Sequence, residues 1–221
     1  MDESVTRKRQ SRRRSERILR AALELFCENG MEETSIEAVA KRAGVGAATV
    51  YRYFSTKAEL AVSSAIFYWE EVSGKYAQRM ETPAYLSMTG RKQMEQILEL
   101  FAELYEKEFP FWKFLYEFDA FVMKHQISWE RLEEYEACIL NLKPYVTGAL
   151  EKGLEDGTLF FTHTVDEMYF ALMHLMLSLM QKSAAGGGLL PSDERVALSL
   201  QIRIAGETLL RGLSAFREER E

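Results

Sequence analysis

Apolar positions along the 221-residue chain recur at helical spacing wherever a period is legible. Ile18, Ala22, Leu25 and Phe26 fall at i, i+4, i+7 and i+8, which predicts a helix over about residues 12–28 that Asn29 and Gly30 end. Thr34 or Ser35 can cap a short helix with Ile36, Val39 and Ala40 inside. With Thr34 as the cap, Glu37 completes a capping box. Ala43, Gly44 and Val45 predict a tight corner with Gly44 at positive φ, and a second short helix follows over about residues 46–53. Ser55 or Thr56 then caps a long helix reaching about residue 79. After a break at residues 82–90 come three stripes. The first is Met94, Ile97, Leu98, Phe101, Leu104, Tyr105, and the second is Phe111, Phe114, Phe118, Phe121. The third is Leu132, Tyr135, Ile139, Leu142, Val146, Leu150, which Pro144 should kink before Gly153 and the Asp156, Gly157 turn end it. Two last helices are expected over about residues 166–182 and 192–217, joined by a flexible run at 184–188 and Pro191. The pattern predicts an all-α fold of about nine helices.

Composition fits a globular protein, with 47% apolar and 28% charged residues. A net charge of −6 argues against nucleic acid until it is divided along the chain. Residues 1–60 carry 12 Lys/Arg against 9 Asp/Glu, and residues 61–221 carry 16 against 25. Eight basic residues and a single acid, Glu16, lie between Arg7 and Arg20. A basic head on an acidic body implies different partners. Cys27 and Cys138 sit in apolar helical patterns and read as buried, reduced thiols. His125, His163 and His174 share no metal-ligand spacing, so no metal or cofactor is expected. No signal-peptide pattern opens the chain. The most apolar window, residues 168–180, falls short of the ~20 residues a bilayer requires. A cytoplasmic, soluble protein with no membrane partner is expected.

Two short helices joined by a small-residue turn, with a helix before them, describe a helix-turn-helix whose second helix enters a major groove. Ile36, Val39, Ala40, Val45 and Val50 form the expected clamp, leaving Ala47, Ala48, Thr49 and Arg52 outward. Thr34, Ile36, Val39, Ala40, Ala43 to Val45, Thr49 to Tyr51, Phe54, Lys57 and Leu60 resemble the N-terminal signature of the TetR-type transcriptional repressors. The likeness is close over about residues 12–60; beyond them only helix count, length and order agree. It implies a homodimer that binds a palindromic DNA operator and releases it when a small-molecule effector enters the C-terminal domain. It divides the chain into a basic flexible arm (1–11), a DNA-binding head (12–57) and a ligand-binding and dimerisation body (58–221).

Carried onto this chain, the resemblance makes Thr34, Ser35, Tyr51 and Lys57 phosphate contacts. It places Gly46 and Thr49 at the DNA surface and Arg42 at the backbone or groove edge. Arg52 has the reach for a bidentate contact to guanine, and Ala47 and Ala48 offer only methyls, suited to thymine. Where many relatives carry His, this chain has Tyr53, which changes or removes a polar contact. The arm, with Arg12 and Arg13, reads either as a solvated tail or as a phosphate-seeking extension.

The last two predicted helices are apolar on more than one face, which fits a buried central helix or, as the resemblance implies, a four-helix dimer interface. Leu172, Leu175, Leu179, Leu200, Ile204 and Leu209 are its candidates. Ten aromatics lie between Phe101 and Trp129. They read as plain core or as an effector pocket lined by Phe101, Tyr105, Trp112, Tyr116, Glu117, Phe118 and Phe121, with His174 as a polar contact. An inward Glu117 or Asp119 would favour a cationic amphipathic effector, and outward ones a neutral hydrophobic effector. No catalytic constellation is found, so an enzyme is not expected. A regulator acting through protein contacts with a degenerate head, and an activator in place of a repressor, are the alternatives.

Overall fold

The computed structural model describes residues 3–186 and 195–214, and among these the regular elements are helices. Eleven α-helices occur in the order α1 (Glu3–Asn29), α2 (Ile36–Arg42), α3 (Ala47–Tyr53), α4 (Lys57–Tyr76), α5 (Pro83–Leu86), α6 (Gly90–Lys107), α7 (Phe109–Lys124), α8 (Trp129–Leu140), α9 (Lys143–Glu155), α10 (Val165–Gly186) and α11 (Leu198–Ser214). A 3₁₀ turn, Ala77–Glu81, follows α4. The all-α expectation holds, and two local features raise the expected nine helices to eleven. Thr82 accepts the Tyr85 N–H at 3.2 Å and Pro83 opens the first turn, giving α5 where only a break was expected. Pro144 does not kink a continuous helix. It sits in the first turn of α9, where its missing N–H and fixed φ are tolerated, and α8 has already ended at Leu140.

The third difference is the start of α1 at Glu3 in place of residue 12. Residues 3–12 contain no Gly or Pro and are rich in Arg, Lys and Gln, good helix formers, so the stretch expected as a flexible arm is helical. The expected run beyond 186 with Pro191, the start of the last helix at 192–194, and its end with Phe216 lie outside the described residues.

The chain forms two compact units, residues 1–71 with 114–138, and residues 72–113 with 139–221. The first is built on Ile18, Ala22 and Phe26 of α1, Val39 of α2, Val50 of α3 and Leu60 of α4, each no more than 1% exposed. Aromatics extend this core: Phe114 stacks on Phe118 at 6.2 Å, Phe118 meets the edge of Tyr135 at 4.9 Å, and Trp69 Nε1 donates to Tyr135 Oη at 3.2 Å. Burial pushes the Tyr135 phenol up.

In the second unit α6 packs against both α9 and α11. Gly90 permits the first contact, since a Cβ there would lie 2.0 Å from the Gly153 nitrogen. Asp156 Oδ2 accepts the Gly90 N–H at 2.8 Å, and the Phe160 N–H donates to the Leu213 carbonyl at 2.7 Å, which ties the loop after α9 to the end of α11.

Candidate nucleic-acid interface

α2 buries Ile36, Val39 and Ala40 and α3 buries Val50, so each short helix has one inner face. Gly44 takes φ +64° in the turn between them, and Val45 N–H donates to the Ala40 carbonyl at 3.0 Å. Val45 is only half-buried, a weaker part of the clamp than its spacing suggested. On α3, Ala48, Tyr51 and Arg52 are exposed, Ala47, Thr49 and Tyr53 are half-buried, and Gly46 caps the helix with no side chain. The outward face is therefore small and polar, with one guanidinium and one phenol standing free of the core.

One of the two cap candidates is selected, and two residues, Thr34 and Arg42, differ from their expected placement. Ser35, not Thr34, caps α2, its Oγ accepting the Ala38 N–H at 3.1 Å. Thr34 is 3% exposed and its hydroxyl donates to the Gly30 carbonyl at 2.8 Å, with the Leu25 carbonyl 3.2 Å away. Its side chain is turned inward onto the end of α1, and the capping box with Glu37 does not form because the cap is one residue later. Arg42 is a strut between α2 and α1. It meets both carboxylate oxygens of Glu28 at 2.8 and 3.1 Å and Glu24 at 3.0 Å. These hydrogen bonds push the guanidinium up and hold Glu28 below the usual carboxylate range. The Glu24, Glu28 pair at i, i+4 was visible in the sequence; that a residue 14 positions later would bridge it was not.

Lys57 opens α4 and its Nζ donates to the Glu32 carbonyl at 2.7 Å, above the Phe121 ring at 5.9 Å. The Glu32 carboxylate takes Lys124 at 3.0 Å and His125 at 2.9 Å, and both partners hold it below its usual range. Tyr53 Oη lies 3.0 Å from Ser11 Oγ, and the Arg52 guanidinium sits 5.7 Å from the Tyr53 ring centre. Arg12 pairs with Glu16 at 2.9 Å, and Arg13 is exposed.

The expected effector residues fall in both units. Phe101, Tyr105 and Trp112 are buried in the second unit, where Trp112 Nε1 donates to the Leu104 carbonyl at 3.1 Å. The Tyr105 hydroxyl meets no partner among the described residues, and burial pushes its phenol up. Phe118 belongs to the aromatic core of the first unit. Tyr116, Glu117 and Phe121 instead border a hollow of about 290 Å³, whose other walls include Met31, Glu32 and Lys124. Asp119 is exposed, and so is His174 on α10.

Of the expected dimer residues, Leu175, Leu200 and Ile204 are 57%, 46% and 49% exposed. Leu179 and Leu209 are half-buried. Leu172 is buried, on the face of α10 that also carries Tyr169, Met173 and Met176. Phe170 and Val196 are exposed too, and the sequence reading had not placed them at an interface.

A short helix held against its neighbour by a buried inner face, joined by a tight turn and offering a free polar face, is a helix-turn-helix unit. Residues 18–64 match the sequence profile of the bacterial regulatory proteins of the tetR family. The fatty acid metabolism regulator protein of Bacillus subtilis is 29% identical over 90 residues, 41% of this chain and 44% of that protein. The transcriptional repressor KstR of Mycolicibacterium smegmatis is 37% identical over 75 residues, 34% of this chain and 37% of that protein. These matches span less than half of either relative. A crystal structure of the B. subtilis transcriptional regulator FadR in complex with stearoyl-CoA superposes with a TM-score of 0.58 at 19% identity, covering 90% of this chain and 97% of that one. The likeness to the tetR family thus lies in the helix-turn-helix head, residues 18–64, while the body shares only a fold with FadR.

Proposed function

We propose that the chain is a ligand-responsive transcriptional regulator, a homodimer that represses by binding a palindromic operator and lets go when a small hydrophobic or amphipathic effector binds. The observation that carries this reading is the outward face of α3, where Tyr51 and Arg52 are exposed and Ala48 stands beside them. Arg52 reads a guanine edge; Ala47 and Ala48 allow close approach to thymine methyls. Ser35, Thr49, Tyr51 and Lys57 grip phosphates, and Gly46 lets the backbone come near. In this reading the head is residues 12–57 and the body is residues 58–221, which carries the effector site and the dimer face. Leu175, Leu200 and Ile204 meet their symmetry mates, setting the two α3 helices about 34–36 Å apart, one turn of DNA. The stearoyl-CoA complex of one relative, the B. subtilis fatty acid regulator FadR, supports a lipophilic effector. The protein acts in the cytoplasm and is a regulator, not an enzyme.

Fluorescence anisotropy on a bound duplex tests the division of labour. Arg52→Ala should cost about 1–3 kcal/mol and relax preference at one base pair in each half-site. Lys57→Gln should weaken all duplexes alike and lower the salt slope by about 0.9 for each lost phosphate contact. A variant at Arg52 that keeps full sequence preference contradicts the reading of α3.

A further inference from the structure

The first half of α1 carries more positive charge than any other part of the chain, and it is helical. A helix turns about 100° per residue, so Arg7, Lys8 and Arg14 lie within about 60° of Ser11. Ile18 and Ala22 continue the same stripe, and both are 0% exposed in the core of the first unit. The side of α1 that packs onto the head in its second half therefore faces the same way in its first half, where it carries exposed Arg7, Lys8 and Arg14. Arg9 and Arg13 point to the opposite side, as does Arg20, whose guanidinium is taken by Glu71 at 2.5 Å. Arg12 lies between the two sides and holds Glu16.

One contact fixes which element that side meets. Ser11 Oγ lies 3.0 Å from the hydroxyl of Tyr53, the last residue of α3. The Tyr53 ring in turn lies under the Arg52 guanidinium. The Tyr53 hydroxyl thus joins the basic stretch to the outward-facing helix of the head.

We propose that the first half of α1 is a second DNA-contact surface, in which Arg7, Lys8 and Arg14 meet backbone phosphates beside the segment read by α3 and Tyr53 is the positioning residue that holds this strip to α3. The proposal rests on the reading of α3 as the DNA-reading helix. It assigns the contact to one side of α1, whereas a disordered basic tail would use all its charges alike. Arg13, singled out by the sequence, falls on the side turned away.

Two double variants of equal charge separate these cases. On a duplex selected with the unaltered full-length protein, affinity is measured across a salt series for Arg7→Gln/Arg14→Gln and for Arg9→Gln/Arg13→Gln. The first pair should reduce the slope of log K against log salt by up to about 1.8, two phosphates at about 0.9 each, and the second by less than half of that. Ser11→Ala and Tyr53→Phe should each lower the slope, with no further loss when combined, while circular dichroism and thermal midpoint stay unchanged. Ser11→Thr, which keeps the hydroxyl, should restore it. Equal slopes for the two arginine pairs overturn the proposal, and so does an unchanged slope in Tyr53→Phe. A wild-type protein that retains no duplex overturns the reading of α3 itself, a different failure.

Discussion

The outward faces of α3 and of the α10, α11 pair are both left open, and they are open in opposite ways. α3 exposes Tyr51, Arg52 and a small Ala48. α10 and α11 expose Phe170, Leu175, Leu200 and Ile204, bulky aliphatic and aromatic groups with no charge of their own. A face of the first kind is stable in water alone and binds something charged with directional contacts. A face of the second kind loses roughly 25 cal/mol for every Å² left wet, so it calls for a partner surface of its own kind. On the proposed function, the first is the surface that engages and releases and the second the one that stays covered.

Breaking the apolar face should have the largest effect. The double variant Leu175→Glu/Ile204→Glu should run as a monomer in sedimentation velocity, and its operator binding should fall to the non-specific level, a Kd of about 10⁻⁴–10⁻⁶ M at physiological salt. Full operator affinity in a monomeric variant would erase the distinction between the two faces. The next effect comes from the aromatic run. Phe118→Ala removes a ring that is 1% exposed between Phe114 and Tyr135, and denaturant unfolding should show a loss of about 3–5 kcal/mol. A side chain lining an open effector site would cost far less.

Thr34→Val sharpens the comparison within the head. The inward hydroxyl leaves carbonyls at the end of α1 unpaired when it is removed, so unfolding should cost about 1–3 kcal/mol while operator affinity at low temperature is retained. Lost affinity at unchanged stability would return Thr34 to the DNA surface. The smallest effect is expected at Glu103. Arg79 and Lys107 hold its carboxyl down at about 2 from an ordinary 4.5. A depressed carboxylate stabilises the folded state above the unfolded value and loses that contribution as pH falls through the folded one. Glu103→Gln should therefore lower the neutral plateau of thermal stability slightly and flatten the acid limb, its curve meeting that of the unaltered protein as pH falls from about 4.5 toward 2.

The head was legible in the sequence because its constraints are local. Gly44 at a positive φ, the inner faces of α2 and α3, and the stop at Gly30 each depend on residues within a few positions. What escaped reading depended on partners far along the chain. Thr34 and Ser35 are equivalent caps by type, and only the arrival of the α1 carbonyls decides between them. Arg42 read as a groove-edge contact with no hint of Glu24 and Glu28, and Tyr53 as an altered polar contact with no hint of Ser11. In the body, helix period alone cannot say whether Leu172 or Leu175 faces outward, because α10 is apolar nearly all round. The aromatic run was only partly legible for a related reason. Spacing placed Phe101 to Phe121 on successive inner stripes, and the structure divides those stripes between two cores.

The central claim is that α3 of two paired chains reads DNA. Selection of bound duplexes from a random pool, using the full-length protein at physiological salt, tests it directly. The account predicts an enriched palindrome whose half-sites lie one turn apart, about 10–10.5 base pairs centre to centre, with a guanine that Arg52→Ala ceases to prefer. A pool that shows no enrichment after repeated rounds would contradict it.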